Sequence, residues 1–572
     1  MFLFARHRRI EQYGLIAAQT AAGGVSMLDR RTFMRGASQM TGAAMLTGLS
    51  SARVRAAEEP VAEIASGKIR GRSVDGVNGF KGVPYGAPTG GRNRFMPPQT
   101  PEPWAGVREA LDWAGHAPQY PSTLKQRPEL ANLSGPRDTV PESEDCLTLN
   151  LWTPGLGDGA KRPVMVWYHG GAFAFGSANM PRLDGTRLAA DHDVVVVTVN
   201  QRLNILGHLH LADIAGEEFA ASGNAGTLDM VAVLRWVQTN IERFGGDPGN
   251  VTIFGQSGGG GKVSTLLATP AAHGLFHRAI VMSGAAIRLT ERERAAKLAD
   301  AVLTKLSLTR QQLDDLQMLP FERVIAAIGP AKDMVGPPAS PRLDRYDFGP
   351  VVDGAVLPGH PFDPVAPDVS ADIPVLVGGT KDEMGSYLAP DDKVWERTLS
   401  EDELRTRVAD VAGDATDRVI ETYRRLYPGV NPAERLISTL TDSNFRVRTL
   451  TLADRKAAKG RAPVWLYSFD WETPVFGGRL KAFHALDVPF VFNTIDAVGS
   501  TDRGPVAHDL ARRISATWAT FARTGKPDNE AIPHWPAYTQ AERATLILDR
   551  ECRVANDYGR ETRLLWKELT GV

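Results

Sequence analysis

The chain has 572 residues, 43% hydrophobic and 23% charged, the composition of a folded soluble protein with enough apolar content for a sizeable core. Its formal net charge is −1. Residues 1–56 hold eight arginines against Glu11 and Asp29, a surplus of +6 that leaves the remainder at −7, so no basic excess points to nucleic acid or to an anionic membrane surface.

At the N-terminus, Asp29-Arg30-Arg31-Thr32-Phe33-Met34-Arg35 resembles the twin-arginine export motif. A modestly apolar run over 40–49 follows, then a small-residue site at Val54-Arg55-Ala56. This is the order of a charged region, an apolar region and a cleavage site. The run is too short to span a membrane. The expectation is a signal over residues 1–56, with Met27 just ahead of the motif making 27–56 the working signal, and export to the periplasm or beyond. Residues 57–572 are expected to form one domain, since no low-complexity linker, repeat or long charge run appears from about residue 61 onward. Cys146 and Cys552 read as structural or free thiols rather than a catalytic pair.

Continuous apolar runs predict strands at 164–168, 194–199, 251–254, 279–282, 374–377 and 464–469, as expected of strands covered on both faces. Between the second and third, Leu228, Val231, Leu234, Val237 and Ile241 recur at helical spacing. Strand, helix, strand in this rhythm predicts right-handed crossovers and an α/β fold with a mostly parallel central sheet flanked by helices. The stretches 290–345 and 390–460 read as large helical insertions packed over that sheet.

Four segments carry chemistry. The strand at 164–168 runs into His169-Gly170-Gly171-Ala172-Phe173, a small-residue loop able to aim successive amides at a developing oxyanion. The strand at 251–254 runs into Gly255-Gln256-Ser257-Gly258-Gly259. A Gly-x-Ser-x-Gly turn between strand and helix lifts the serine hydroxyl clear of the backbone, and the amide of Gly258 is a further donor. A phosphate cradle is disfavoured because Gly258-Gly259-Gly260-Gly261-Lys262-Val263 lacks Walker spacing. A serine hydroxyl needs a base, and that base an orienting carboxylate. Asp382 and Glu383 follow the strand at 374–377, and the residues alone do not choose between them. Of the later histidines, His508 reads as a helix-surface residue and His534 as part of a proline corner. His484 precedes an apolar segment and can reach in from the rim.

Taken in order, Phe80-Lys81-Gly82-Val83-Pro84-Tyr85-Gly86, Ser143-Glu144-Asp145-Cys146-Leu147-Thr148-Leu149-Asn150, the 169–173 loop, Gly223-Asn224-Ala225-Gly226, Phe244-Gly245-Gly246-Asp247-Pro248, the Ser257 turn, Lys381-Asp382-Glu383 and the His484 segment resemble the type-B carboxylesterase and cholinesterase-like family of α/β-hydrolases over about 80–495. The resemblance implies hydrolysis of small-molecule carboxylic esters through an acyl-enzyme, no cofactor or metal, and a triad of Ser257, His484 and Glu383. It implies oxyanion donors at Gly171, Ala172 and Gly258. A lipase or amidase could share this triad; a non-catalytic binding module on the scaffold typically lacks a triad member, and none is missing here. The chain departs from the family in Ala172 within the loop, in Gly258 where Ala is common, in Gln256 where Glu is usual, and in having no cysteine upstream of Cys146. Arg202 is expected to pair with Glu144 or Asp145, and Phe173, Phe175 and the 290–345 insertion to wall the substrate pocket. Acyl and alcohol preference and oligomeric state are not written in the sequence.

Overall fold

The computed structural model of the chain describes residues 59–120, 127–136, 138–338 and 347–571, so the signal expected over 1–56 lies outside the described residues. Among the described residues, eleven strands form one sheet. Seven run parallel through its middle, in the spatial order Val195–Val199, Arg162–Tyr168, Gly246–Gln256, Arg278–Met282, Val375–Thr380, Val464–Phe469 and Ala544–Leu548. Antiparallel strands close both sides: Arg553–Asn556 at one, and Thr148–Thr153, Val77–Pro84 and Arg72–Val74 at the other. This is the α/β-hydrolase arrangement that the motif order implied.

The central strands are apolar throughout because helices cover both faces. Val164, Val166, Tyr168, Val195, Val197, Ile253 and Val281 point to one side, where Val231, Leu234 and Val237 of the helix Ala225–Asn240 meet them. Met165, Trp167, Val196, Phe254, Ile280 and Met282 point to the other, against Leu510, Ile514 and Trp518 of the helix Pro505–Thr524. Each such aliphatic side chain contributes about 1.5–3 kcal/mol by leaving water. Trp167 adds edge-on contacts to Phe254 and Phe492 at 4.9 and 5.1 Å between centroids, worth about 0.5–1.5 kcal/mol each beyond area.

The two expected insertions are helical. Arg292–Leu306, Leu313–Met318, Phe321–Ala326 and Ile328–Val335 share an apolar cluster that includes Leu298, Val302, Leu316 and Ile328. Glu401–Ala412, Thr416–Leu426 and Pro432–Thr441 gather around Leu404, Val419 and Leu436. The first of these begins on a capping box in which Ser400 and Glu403 satisfy each other's backbone amides.

One expected pairing is corrected. Arg202 does not pair with Glu144 or Asp145; it forks onto Asp229, Nε to Oδ2 at 2.8 Å and Nη2 to Oδ1 at 2.6 Å. Asp229 stands one turn into the helix Ala225–Asn240 and also accepts from the Arg202 amide at 3.0 Å. Glu144 is held instead by Arg94, at 2.7 and 2.6 Å. Cys146 is buried, Cys552 partly so, and both are free thiols. No helix among the described residues is long and apolar enough to cross a membrane.

Candidate active site

Ser257 sits between the strand Gly246–Gln256 and the helix Gly258–Leu267 with φ +59° and ψ −124°, a conformation that a residue with a side chain adopts only when its surroundings impose it. Here they do. The Ser257 amide donates to Met282 O at 2.8 Å, and its carbonyl accepts from Gly261 N at 3.0 Å. A Cβ on Gly259 would strike Tyr168 O, and one on Gly284 would strike Ser257 O. The small residues of this turn are therefore demanded by backbone lying against backbone.

The 169–173 loop follows the strand Arg162–Tyr168, next to the serine strand. Gly171, Ala172 and Phe173 all have positive φ, +102°, +53° and +64°. Gly171 O accepts from the amides of Ala174 at 2.9 Å and Phe175 at 3.1 Å. Because carbonyl and N–H of a trans peptide point in opposite directions, this turns the Ala172 amide the other way. The amides of Gly171 and Ala172 donate to no other described residue. Gly258, the first residue of its helix, abuts Ala172 so closely that a Cβ there would collide with the Ala172 nitrogen. The unpaired amides of this helix start add the positive end of the helix dipole to the same spot.

Glu383 and His484 arrive from the neighbouring strand ends. His484 Nδ1 donates to Glu383 Oε2 at 2.5 Å, and Glu383 Oε1 accepts from Thr380 N at 2.9 Å. The structure thus separates the two adjacent acids. Asp382 turns away, accepting from Ala482 N at 3.3 Å with Lys381 Nζ at 3.7 Å, and burial pushes its carboxyl up to about 6. His508 and His534 lie elsewhere, beside Asp496 and Asp528.

Ser257 Oγ has no hydrogen-bond partner among the described residues. It is Gln256 that approaches the imidazole, its Nε2 lying 3.4 Å from His484 Nε2 and 3.5 Å from Nδ1. Bonds of this kind commonly tighten only in the substrate complex. Phe175 is exposed, whereas Phe173 is buried behind the loop with its ring 5.7 Å from that of His208.

Two neighbours of the histidine and a buried acid within reach of Glu383 were not evident in the sequence. Tyr387 and Phe445 pack on the His484 ring at 5.2 and 5.1 Å. Tyr387 is one helical turn beyond Glu383, a spacing that could have flagged it. Phe445 belongs to a π-helical turn, Asp442–Arg446, which no simple periodicity marks. Asp487 is buried, accepts from Tyr467 O–H at 3.0 Å, and is pushed up to about 7 by burial first and by Glu383 second.

A parallel sheet clad in helices, a serine on a strained strand-to-helix turn, free amides facing it and an acid–histidine pair from later strand ends define an α/β-hydrolase. The model of the Carboxylesterase family matches residues 58–566, and the chain belongs to that family and is a carboxylic-ester hydrolase. It is similar to the para-nitrobenzyl esterase of Bacillus subtilis (strain 168), 38% identical over 500 residues, covering 87% of this chain and 96% of the relative. The phenmedipham hydrolase of Pseudarthrobacter oxydans is 33% identical over 513 residues, covering 88% and 97%. Among solved structures, a Geobacillus stearothermophilus carboxylesterase superposes with a TM-score of 0.75 at 38% identity, covering 88% of this chain and 99% of the other.

Proposed function

We propose that Ser257 is the nucleophile of this esterase, His484 its general base and then acid, and Glu383 the group that orients His484. The observation that carries this is the 2.5 Å bond from His484 Nδ1 to Glu383, placed beside the strained Ser257 turn. With Nδ1–H committed to Glu383, Nε2 is left as the lone-pair acceptor for the serine proton. Attack on the ester carbonyl puts negative charge on its oxygen, and the amides of Gly171, Ala172 and Gly258 are the donors for it, each worth about 3–4 kcal/mol in the transition state. The imidazolium then protonates the leaving alcohol, and water enters by the same base to release the acid. Ser257→Ala is expected to lower kcat on p-nitrophenyl acetate by about 10⁶-fold, because the three side chains act as a unit. Wild-type turnover in that variant would overturn the assignment.

Export through a twin-arginine route is a separate proposal, supported by Arg30-Arg31 ahead of an apolar run and a small-residue site. Residues 27–56 fused to a folded reporter should carry it out of the cytoplasm, and replacing Arg30 and Arg31 by Lys should stop it. A reporter that leaves equally well without the arginine pair would refute the route.

A further inference from the structure

Lys262 is the sole charged residue of the helix Gly258–Leu267 and is fully buried. No carboxylate among the described residues forms an ion pair with it. Its Nζ donates to His169 O at 2.8 Å and lies 5.8 Å from the centre of the Phe173 ring. Its ionisable neighbours are two further buried bases, His169 and His208, and the lysine's charge adds to burial in keeping both imidazoles neutral. Burial likewise depresses the lysine amine itself. A buried amine without a counter-charge costs stability, and a methionine would fill the same space without that cost. What the amine touches suggests why it is there.

We propose that Lys262 is a positioning residue for the oxyanion hole, acting through the carbonyl of His169. That carbonyl is the last point of the strand Arg162–Tyr168 side before the chain turns into the three positive-φ residues. The next peptide is tied by His169 itself, whose Nδ1 donates to Gly170 O at 2.7 Å, and the one after by the bonds from Ala174 and Phe175 to Gly171 O. Three successive carbonyls are thus tied: the bond to His169 O fixes the peptide that carries the Gly170 amide, at the root of the loop, and the ties on Gly170 O and Gly171 O swing the amides of Gly171 and Ala172 the opposite way. The second tie needs a neutral His169 with its proton on Nδ1. Gln201 Nε2, 3.0 Å from His169 Nε2, fits that tautomer, and burial, with the amine's help, disfavours a second proton on the ring. Lys262 therefore makes the first tie and favours the second. Gly258 lets the arrangement close, since it allows the Ala172 amide to rest directly against the helix start.

The inference rests on the proposed oxyanion role of Gly171 and Ala172. Its test is Lys262→Met, with kcat expressed per site titrated by a fluorophosphonate so that unfolded protein does not count. The expected result is a fall in kcat on p-nitrophenyl acetate of about tenfold or more, the scale of a slightly misplaced donor set, with KM within about twofold. Affinity for an aryl trifluoromethyl ketone, which adds to the serine as a tetrahedral oxyanion, should fall by the same factor. Should Lys262→Met fail to fold, Lys262→Gln, which keeps an N–H donor on a shorter stem, should show the same pattern at smaller amplitude. Parent values of kcat per site and of ketone affinity in the folded variant would overturn the role of Lys262 while leaving the triad intact. An active Ser257→Ala would instead overturn the reading on which it stands.

Discussion

The serine side of the site and the acid–histidine side lie on one sheet edge, yet they are held by different means. Around Ser257 the constraint is steric: the main chain of Tyr168, Ala172 and Gly284 comes so near that side chains are excluded, and the donors are amides. Around His484 the constraint is chemical: a carboxylate, two aromatic rings and the Gln256 amide set the ring's position, and a second acid, Asp487, lies within electrostatic reach of Glu383. The first side should therefore answer to added atoms and ignore pH, and the second should answer to charge.

Glu383→Gln tests the chemical side most severely. It keeps the shape but can present an N–H to His484 Nδ1, favouring the wrong tautomer, so kcat on p-nitrophenyl acetate should fall by about 10³–10⁴-fold with little change in melting temperature. On the steric side, Gly284→Ala adds one methyl group against Ser257 O. A displacement of that turn should cost about 10²-fold in kcat, equally at every pH; a loss confined to one limb of the pH profile would break the contrast. Gln256→Glu changes almost no volume but places a carboxylate beside the imidazole, stabilising its protonated form. The acid limb of kcat/KM should move up by about one pH unit, and an unmoved limb would show that this side chain is electrically remote from the base.

The smallest effect concerns Asp487. Its carboxyl keeps its proton up to about pH 7 in the folded chain and to about pH 4 when unfolded. A raised folded value means that the stability it lends is whole below about pH 4 and is lost as pH climbs to about 7. Asp487→Asn stays neutral throughout and escapes that loss. Between pH 5 and pH 8 the melting temperature of the variant should gain on the parent by a few degrees, and a constant difference would show that Asp487 does not titrate in this range.

How far the sequence could be read follows from the same contrast. Six of the seven central parallel strands were legible because both faces are buried, which leaves a continuous apolar run; Val464–Phe469 matches its predicted bounds, whereas the short Ala544–Leu548 was missed. The strand Val77–Pro84, next to the sheet's edge, was missed because only every third residue is buried, which is not a strand's rhythm. Ser257 and its loop were legible because backbone crowding writes itself as glycine. The choice between Asp382 and Glu383 was not, since it depends on which carboxyl meets a ring a hundred positions away; the family resemblance implied Glu383, whose carboxylate accepts from His484 Nδ1. Arg202 met Asp229 rather than an acid of the 143–150 motif because the helix Ala225–Asn240 crosses just there. Lys262 entered the sequence reading only as the lysine of a glycine run without Walker spacing, and nothing local announced its burial.

Outward from the serine strand, the sheet adds its members in the order of the chain: Gly246–Gln256, Arg278–Met282, Val375–Thr380, Val464–Phe469, Ala544–Leu548. During synthesis each new strand can dock on an edge already laid down. Ser257, Glu383 and His484 have all emerged before the last parallel strand. A chain stopped ahead of residue 544 would hold every group of the site while offering the amides and carbonyls of Val464–Phe469 to any passing strand. The 29 residues from 544 onward, remote in sequence from the chemistry, thus act as the selvage that keeps one molecule of this enzyme from being stitched to the next.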